Sequence, residues 1–375
     1  MPILSLTEAE LRRRHSLKWR TYDPDILPLW VAEMDTAVHP AVREALLAAV
    51  DAGDTGYPSG RGYAEAFAAL AHSRWGLDLD VAAQVRQTGD VMNGILAVLL
   101  ATTQPGDAVV INPPIYPPFR QVVAGYGRRI VEVPLTQAGR LDLAGLATAL
   151  ADRPAAYLLC SPHNPNGTVH TAAELQAVAT ACVEAGTRLI VDEIHACLVD
   201  PGVRFTPVLS VAGGEHAVTV TSAGKAWNLA AFKAGLIIGG SATPDVLAAL
   251  PPLALQAMGW MGAIVHTAAM THAQDWVDQL DAEVAANKAL LATLLGQSVP
   301  AARYSPAEGT YLAWVDCSDL GLADPATSFR EQGRVAFSPG VNFGAEHSAW
   351  VRINLAASPE LITEAVRRMA GVVNA

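Results

Sequence analysis

The chain has 375 residues, of which 51% are hydrophobic, and its formal net charge is -11. Because a single core usually serves no more than about 250 to 300 residues, a large and a smaller domain are expected. The acidic balance argues against a nucleic-acid or anionic-membrane partner, since phosphate contacts require clustered Lys and Arg.

Short apolar runs alternate with longer amphipathic segments between about residues 80 and 240. Buried strands are predicted at residues 107–112, 155–160, 188–191 and 217–221, and a helix at residues 172–184. Strand and helix in turn predict an α/β fold with a mostly parallel sheet covered by helices on both faces.

A second, smaller α+β domain is predicted from the segments that flank this region. Its elements are helices over residues 258–295 and 359–372, strands over residues 310–316 and 350–355, and an N-terminal helix around residues 6–15. We therefore expect a large domain of residues 45–265 and a small domain of residues 1–44 and 266–375.

Three polar residues stand at or just after predicted strands. Asn164 lies in the turn S-P-H-N-P-N-G, Asp192 follows the run R-L-I-V, and Lys225 lies in T-S-A-G-K-A-W-N. Because ligands gather at the carboxyl ends of parallel strands, these side chains are expected to meet. The simpler alternatives are a turn asparagine, a helix N-cap aspartate and a structural lysine.

An asparagine, an aspartate and a lysine in this order suit pyridoxal 5'-phosphate held as a Schiff base. A lysine reacts with the aldehyde as the free amine, so burial or a neighbouring positive charge must lower its pKa. An aspartate beside the ring nitrogen keeps that nitrogen protonated, so the ring can accept electrons from the substrate's Cα. An asparagine amide can donate to the ring's phenolic oxygen.

Further motifs lie on either side of this trio. They are S-L-K-W, L-P-L-W-V-A-E-M-D, G-Y-P, P-P-I-Y-P-P-F, P-H-N-P-N-G, V-D-E-I-H, K-A-W-N and V-R-I-N-L-A. Together they resemble the fold-type I pyridoxal-phosphate enzymes of the aminotransferase class I/II superfamily, and specifically the bacterial cystathionine beta-lyase group typified by MalY and PatB. The resemblance covers essentially the whole chain, and it implies the fold-type I PLP-dependent transferase fold.

The resemblance implies a role for several residues around the cofactor ring. Lys225 is the Schiff-base lysine and proton shuttle, Asp192 pairs with the pyridinium nitrogen, and Asn164 contacts the ring oxygen. Tyr116 stacks on the ring face, because a flat conjugated ring gains from an offset parallel partner. His195 stands where transaminases usually have a tyrosine, so a ring-oxygen contact and a brace for Asp192 are equally open.

The phosphate group requires hydrogen-bond donors, and T-G-D-V-M-N-G suits a helix N-terminus whose free N–H groups face an anion. Val91 and Met92 would contribute only backbone N–H groups, and Asp90 fits only if its carboxylate points away. By resemblance, Ser222 and Lys233 also bind the phosphate. Arginine is commoner at the position of Lys233, so the single ammonium group of a lysine replaces a guanidinium that could donate two parallel hydrogen bonds.

The substrate is expected to bind through Arg352, which resembles the arginine that clamps the α-carboxylate of an amino acid. A bidentate guanidinium suits that planar group and sets which Cα bond stands perpendicular to the ring. Tyr57 resembles a tyrosine that reaches the phosphate of the neighbouring subunit, which implies a homodimer with shared active sites. Trp227, Tyr311 and residues 337–343 are candidates for the remaining pocket.

The resemblance implies a carbon–sulfur beta-lyase that converts L-cystathionine or another cysteine S-conjugate to a thiol, pyruvate and ammonia. An aminotransferase uses the same opening steps and the same lysine, aspartate and arginine, so the residues leave that alternative open. A MalY-like regulatory role through a bound protein is a third hypothesis. Which S-conjugate is preferred does not follow from the sequence.

The spacing of the cysteines and histidines and the N-terminal sequence predict where in the cell the protein works and whether it binds a metal. The four cysteines lack CxxC spacing, as expected of buried thiols in a reducing cytosol. The ten histidines show no metal-ligand spacing. The segment M-P-I-L-S-L-T-E-A-E lacks a signal peptide's pattern, and no run reaches the ~18 apolar residues of a membrane span. We expect a soluble, cytoplasmic protein without a metal.

Overall fold

The structure is a computed structural model that describes residues 2–374. The strands are β1 (Leu27–Pro28), β2 (Val85–Thr88), β3 (Ala108–Ile111), β4 (Arg129–Glu132), β5 (Ala156–Cys160), β6 (Arg188–Asp192), β7 (Val218–Thr221), β8 (Gly235–Gly239), β9 (Leu312–Asp316), β10 (Val335–Ala336), β11 (Ser338–Pro339) and β12 (Trp350–Asn354).

The α-helices account for most of the remaining regular structure. They are α1 (Glu8–Leu11), α2 (Leu17–Arg20), α3 (Pro40–Asp51), α4 (Gly62–Trp75), α5 (Val81–Gln84), α6 (Val91–Thr102), α7 (Pro117–Gly125), α8 (Leu143–Ala151), α9 (Ala172–Ala185), α10 (Pro244–Ala248), α11 (Pro252–Leu255), α12 (Trp260–His272), α13 (Gln274–Ser298), α14 (Pro325–Glu331) and α15 (Pro359–Val373).

A seven-stranded sheet with the order β2-β8-β7-β6-β5-β3-β4 forms the centre of the molecule. Strand β8 is antiparallel to β2 and β7, and the other neighbouring pairs are parallel. Two reversals in succession give β2 the direction of β7, so β8 alone runs against the rest. The predicted mostly parallel sheet is confirmed.

The alternating direction of side chains along the strands explains why helices cover both faces of this sheet. In β5, Leu158 packs in one hydrophobic cluster with residues of α6 and α7, such as Val98. Its neighbours Tyr157 and Leu159 pack in another with residues of α8 and α9. Successive side chains of a strand point to opposite faces, so an unbroken apolar run is what a covered sheet requires.

The predicted elements agree with the structure except at the N-terminus. The strands predicted in the large domain, and α9, differ from the observed bounds by a residue at most at each end. A continuous helix around residues 6–15 was wrong, because α1 ends at Leu11 and α2 begins only at Leu17. The Arg20 guanidinium donates to the carbonyls of Arg12 and Arg14, which a continued helix would need for its own bonds.

The N- and C-terminal parts of the chain share a second core. Strands β11, β12 and β9 form an antiparallel sheet, and β1 pairs in parallel with β10. Leu11, Trp19 and Leu27 pack in one cluster with Phe329 and Met369. The division into residues 45–265 and residues 1–44 with 266–375 stays a prediction, and this shared core supports it.

Three further observations concern the described residues, 2–374. All four cysteines are free and buried. None of the helices in this part is both long and apolar enough to traverse a bilayer. The same residues include no group of three or more His, Cys, Asp or Glu side chains that could hold a metal ion.

Candidate active site

Every residue predicted to bind the cofactor or the α-carboxylate, except Tyr57, lines one cavity of about 430 Å³ at the carboxyl edge of the central sheet. The predicted residues in its wall are Val91, Met92, Tyr116, Asn164, Asp192, His195, Ser222, Lys225, Lys233 and Arg352. Tyr57 lies outside the cavity with its side chain 98% exposed. The volume is in the range of ordinary small-molecule sites.

The topology of the sheet explains why residues distant in sequence meet here. Asp192 is the last residue of β6, and Asn164 and Lys225 follow β5 and β7, the strands on either side of it. Tyr116 follows β3, and Val91 follows β2. All these strands run in the same direction, so their carboxyl ends share one edge, where α/β proteins place their ligands.

Lys225 has the environment of a reactive amine. Its Nζ donates a 2.7 Å hydrogen bond to the carbonyl of Ala32. Burial, with the charge of Arg352 adding to it, lowers the pKa of Lys225 to about 8. In a substantial fraction of the protein molecules, Lys225 is therefore a free amine near neutral pH, as nucleophilic and basic chemistry requires.

Asp192 is a buried carboxyl group, 4% exposed, that faces the same cavity. Its Oδ1 accepts a hydrogen bond from the Ile194 N–H at 3.0 Å. Burial raises the pKa of Asp192 to about 7. A cationic group placed beside it would favour the charged carboxylate and would be held there.

Arg352 reaches the cavity from β12 and is 5% exposed. One terminal nitrogen donates to Asn164 Oδ1 at 3.0 Å, and the other to the Trp30 carbonyl and Ser338 Oγ, at 3.2 and 3.3 Å. The guanidinium also lies 4.8 Å from the Phe343 ring centroid. These contacts fix its plane, while its Nε is buried without a partner within residues 2–374.

Two aromatic side chains complete the inner wall. Tyr116 precedes α7, and its ring meets Phe119 edge-on at 6.1 Å. The His195 ring meets Tyr311 edge-on at 6.2 Å, and burial lowers the pKa of His195 to about 3, so it is neutral. Its Nδ1 is buried, and no hydrogen bond joins it to Asp192 or any other described residue. The brace for Asp192 is therefore not formed, and the ring-oxygen contact stays a prediction.

Asp90 lies where the sequence made a negative charge hard to explain. It is the N-cap of α6, and its Oδ1 accepts from the Asn93 N–H at 2.8 Å. Its Oδ2 pairs with Lys233 Nζ at 3.0 Å. The carboxylate therefore caps the N–H of Asn93, the third residue of α6, and neutralises the charge of Lys233. The first two N–H groups, those of Val91 and Met92, have no intrahelical acceptor and remain available to an anion.

Ser222 lies beside this helix start, but its hydroxyl already has protein partners. Its Oγ donates to the Ala234 carbonyl at 2.7 Å and accepts from the Gly224 N–H at 3.0 Å. Lys233 is held by Asp90 with its side chain still 61% exposed. For both residues the expected phosphate contact stays a prediction, and it requires the hydroxyl of Ser222 to rotate away from Ala234.

The segment of residues 30–35, called the 30–35 loop below, is the part of the site that sequence reasoning missed. Its Ala32 carbonyl accepts from Lys225 Nζ and, at 3.1 Å, from the Tyr311 hydroxyl. Its Trp30 carbonyl accepts from Arg352. The string W-V-A-E-M-D was recognised as a family marker, but the contacts use main-chain oxygens, which side-chain chemistry does not reveal.

Several of the sequence motifs brace the 30–35 loop. Asn228, from K-A-W-N, both donates to the Met34 carbonyl and accepts from the Met34 N–H. Asn354, from V-R-I-N-L-A, donates to the carbonyls of Val31 and Glu33 at 2.8 and 2.6 Å. The motifs therefore act together as one hydrogen-bonded support for the carbonyls that face the site.

A buried ion pair holds the last residue of the 30–35 loop, Asp35. Lys18 Nζ lies 2.7 Å from Asp35 Oδ2, and both side chains are 0% exposed. Trp19 Nε1 donates to the other oxygen of Asp35 at 2.9 Å. The motif S-L-K-W thus holds the end of W-V-A-E-M-D.

The proposed pocket role of Trp227 was wrong, because its indole N–H donates to the Ala273 carbonyl and its ring lies in the hydrophobic core.

We expect Asp35→Asn to lower the free energy of unfolding by about 3 to 5 kcal/mol, because it leaves the Lys18 ammonium buried without its counter-charge. Urea unfolding of the two proteins measures this difference. The control is the double variant Lys18→Met, Asp35→Asn, which removes the isolated charge and should recover most of the loss. A single variant within about 1 kcal/mol of wild type would contradict the assignment of a buried ion pair at this position.

Comparison with known proteins agrees with this geometry. The family described as aminotransferase class I and II matches residues 24–369. A Mycobacterium leprae protein named "Putative cystathionine beta-lyase" is 43% identical, with 98% of this chain and 97% of that protein covered. Cystathionine beta-lyase PatB of Bacillus subtilis is 30% identical, with 93% of each chain covered.

A solved structure has the same overall fold. The crystal structure of a "putative plp-dependent beta-cystathionase" from Corynebacterium diphtheriae superposes with a TM-score of 0.94. It is 29% identical in sequence and covers 100% of this chain and 99% of the other. The expected resemblance and the expected fold are both confirmed.

Proposed function

The chain belongs to the aminotransferase class I and II family, and we propose that it is a pyridoxal 5'-phosphate-dependent carbon–sulfur beta-lyase. Its substrates would be L-cystathionine or related cysteine S-conjugates, and its products a thiol, pyruvate and ammonia. The observation that carries the proposal is the meeting of Asn164, Asp192, Lys225 and Arg352 in one cavity. The relatives named cystathionine beta-lyase favour this reaction over transamination.

The residues present fit the cofactor. The buried Asp192 would hold the protonated ring nitrogen, the neutral His195 with its unpartnered Nδ1 would face the ring, and Tyr116 would cover one side. The N–H groups of Val91 and Met92, at the start of α6, would hold the phosphate. When bound, the cofactor supplies an electron sink for negative charge that develops at the substrate's Cα.

The chain's own residues would then divide the work. Arg352 binds the α-carboxylate and so orients the Cα–H bond. The Lys225 amine, with its pKa lowered to about 8, takes the Cα proton. The carbon–sulfur bond at Cβ then breaks, and the sulfur departs with the bonding electron pair and takes up the proton that Lys225 holds. Water then converts the remaining three-carbon fragment to pyruvate and ammonia. Asp192 remains charged beside the ring nitrogen throughout.

The reaction is tested by supplying L-cystathionine to the purified protein loaded with pyridoxal phosphate. We expect pyruvate and free thiol in equal amounts without any keto-acid acceptor. Pyruvate is measured by coupled lactate formation and thiol by a chromogenic disulfide. Turnover that requires 2-oxoglutarate, with no thiol released, would overturn the lyase proposal in favour of an aminotransferase.

The lowered pKa of Lys225 leads to a pH dependence that does not involve turnover. Burial disfavours the ammonium form, so the free-amine fraction rises through pH 8. Covalent uptake of pyridoxal phosphate by cofactor-free protein should therefore become about tenfold faster from pH 7 to pH 9. The rate is followed by absorbance, and borohydride reduction with peptide mass analysis assigns it to Lys225.

The control for this measurement is free Nα-acetyl-lysine under the same conditions. Its ordinary amine, with a pKa near 10.4, should become about a hundredfold more reactive over the same two pH units. A hundredfold rise for the protein would mean that Lys225 has an unshifted pKa, which contradicts the description of a buried amine.

We further propose that the working unit is a homodimer. An open groove of about 730 Å³ between α3, α4 and α12 is lined by small and apolar residues such as Ala48 and Ile264. Exposed apolar side chains of the same region include Leu47, Val50 and Tyr57. Exposed apolar patches of this kind mark interaction surfaces. Light scattering should give the mass of a dimer, and Ala48→Glu should shift it toward the monomer.

A further inference from the structure

We propose that Tyr311 is a positioning residue for Lys225, and that it acts through the carbonyl oxygen of Ala32, which both side chains share. Its hydroxyl weakens the hold of that oxygen on the protonated lysine. The inference rests on the proposed function, in which Lys225 is the reactive amine, and it adds a residue that controls how strongly this amine binds a proton.

The shared oxygen is the centre of the arrangement. Lys225 Nζ donates to the Ala32 carbonyl at 2.7 Å, and the Tyr311 hydroxyl donates to the same oxygen at 3.1 Å. A carbonyl oxygen has two lone pairs, so these two donors fill its capacity. Each donor presents a positive hydrogen to the same atom, so the hydroxyl opposes the ammonium form of Lys225 electrostatically.

Tyr311 remains a hydrogen-bond donor wherever Lys225 titrates. The side chain is 1% exposed, and burial raises the pKa of Tyr311, so the hydroxyl keeps its proton. Its ring meets the His195 ring edge-on at 6.2 Å, which holds the plane of the phenol. The hydroxyl therefore points at the shared oxygen throughout the relevant pH range.

The backbone directly before Tyr311 is strained and is held by its neighbours. Thr310 has a φ of +60°, which a β-branched residue rarely adopts. Its N–H donates to the Leu198 carbonyl at 2.8 Å, and the Tyr311 carbonyl accepts from the Leu355 N–H at 2.8 Å. Such a conformation persists only where the surrounding structure imposes it. These contacts fix where the phenol begins, as a positioning role requires.

The shared oxygen is also held independently of Tyr311. The side chains of Asn228 and Asn354 bind the main chain of the 30–35 loop on both sides of this oxygen. Loss of the hydroxyl alone would therefore leave the oxygen in place and free one lone pair for the ammonium of Lys225. The pKa of Lys225 would then rise.

This control matters because Lys225 has two tasks in the proposed reaction. As a free amine it takes the Cα proton, and as an ammonium it gives that proton to the departing sulfur. An ammonium that can use both lone pairs of a carbonyl oxygen forms readily but releases its proton less readily. By occupying one lone pair, Tyr311 favours the release.

Other groups around Lys225 act on the same proton equilibrium. Burial is the main reason that the pKa of Lys225 is lowered to about 8. The charged groups that also act on it are Arg352 and Lys233, which lower this pKa, and Asp192 and Glu33, which raise it. The adjacent His195 is neutral, because burial lowers its pKa to about 3. All of them stay unchanged when only the hydroxyl of Tyr311 is removed.

The test follows the proton equilibrium of Lys225 in cofactor-free protein. Trace labelling with acetic anhydride over about pH 6 to 10, with peptide mass analysis, gives the reactivity of this one amine at each pH. We expect Tyr311→Phe to raise the pKa of Lys225 by about 0.5 to 1 unit, the usual net effect of one hydrogen bond. Labelling at pH 7 should therefore slow by about three- to tenfold.

Tyr157→Phe is the matched control. Tyr157 is 0% exposed and its hydroxyl donates to Asn112 Oδ1 at 2.5 Å, so this variant also loses a buried tyrosine hydrogen bond. It should leave the pKa of Lys225 unchanged. Incorporation of 3-fluorotyrosine at position 311 is the opposite change, because a more acidic hydroxyl is a stronger donor, and it should lower the pKa of Lys225.

Three results would overturn the role of Tyr311. They are an unchanged or lowered pKa of Lys225 in Tyr311→Phe, an equal rise in Tyr157→Phe, and a raised pKa with 3-fluorotyrosine. Because the labelling needs neither cofactor nor substrate, it is independent of the lyase proposal. If no S-conjugate yields thiol but the pKa rises as expected, the lyase proposal fails and the role of Tyr311 stands. If thiol is released but the labelling profiles coincide, the role of Tyr311 fails and the lyase proposal stands.

Discussion

Replacing Lys225 with alanine is expected to abolish thiol and pyruvate release, with at least about a 10⁴-fold loss of kcat/KM, because in the proposed reaction this one side chain supplies both the covalent anchor and the base. The side chain lies in the cavity with its pKa lowered to about 8, so the wild-type amine is suited to both tasks. Steady-state thiol release and the visible absorbance of the holoenzyme measure the two losses separately.

A second lysine of the same cavity is the matched control. Lys233 is paired with Asp90 and its side chain is exposed, so Lys233→Ala removes a positive charge from the wall without removing the amine of Lys225. This variant should keep the absorbance that borohydride abolishes and bind the cofactor less tightly. If Lys225→Ala folds with an unchanged melting temperature and retains more than about a hundredth of the activity, Lys225 is not the catalytic amine.

Asp192→Asn is expected to lower kcat by about 10² to 10³, the usual size of a lost electrostatic contact in a buried site. An amide of the same shape cannot carry the charge that keeps a ring nitrogen protonated. The adjacent Glu193 is the control, because it is equally buried but accepts from the Val208 N–H. Glu193→Gln should leave kcat within about threefold of wild type; equal losses in both variants would show a general effect of burial.

The same substitution has a consequence for stability that needs no substrate. Burial raises the pKa of Asp192 from 3.8 to about 7, so the folded state holds the proton more tightly than the unfolded state. The resulting cost to folding grows as pH rises from about 4 to 7 and is complete above pH 7. Cofactor-free Asp192→Asn should therefore gain stability over wild type across that range.

The central part of the site followed from the sequence because it obeys a local rule. Asn164, Asp192 and Lys225 each stand next to an apolar run that forms a strand, and parallel strands bring their carboxyl ends together. Strand β8 was not predicted, since G-L-I-I-G is short, is bounded by glycines and runs against its neighbours. The continuous N-terminal helix failed because Arg20 takes carbonyls that the helix would need.

The contacts of the 30–35 loop could not be predicted for a different reason. The Ala32 carbonyl meets Lys225 and the Trp30 carbonyl meets Arg352, across separations of 193 and 322 residues. Every residue has a carbonyl, so residue identity gives no indication that these two face the site. The pairing of Asp90 with Lys233 is similar. Lys233 alone was assigned to the phosphate by resemblance, and the charge of Asp90 alone was hard to place beside an anion; their attraction appears only once β2 and β8 are adjacent.

The support of the 30–35 loop by Asn354 and Ala356 also sets when the protein can first become active. Val31 is synthesised 323 residues before Asn354, which donates to its carbonyl. Asp35 likewise precedes Ala356, whose carbonyl accepts from the Asp35 N–H at 2.8 Å. Until then the carbonyls at positions 30 and 32 have no fixed location, however well the central sheet has formed. A polypeptide released by a ribosome that stalls before residue 354 would carry the lysine and the aspartate but no finished catalytic centre.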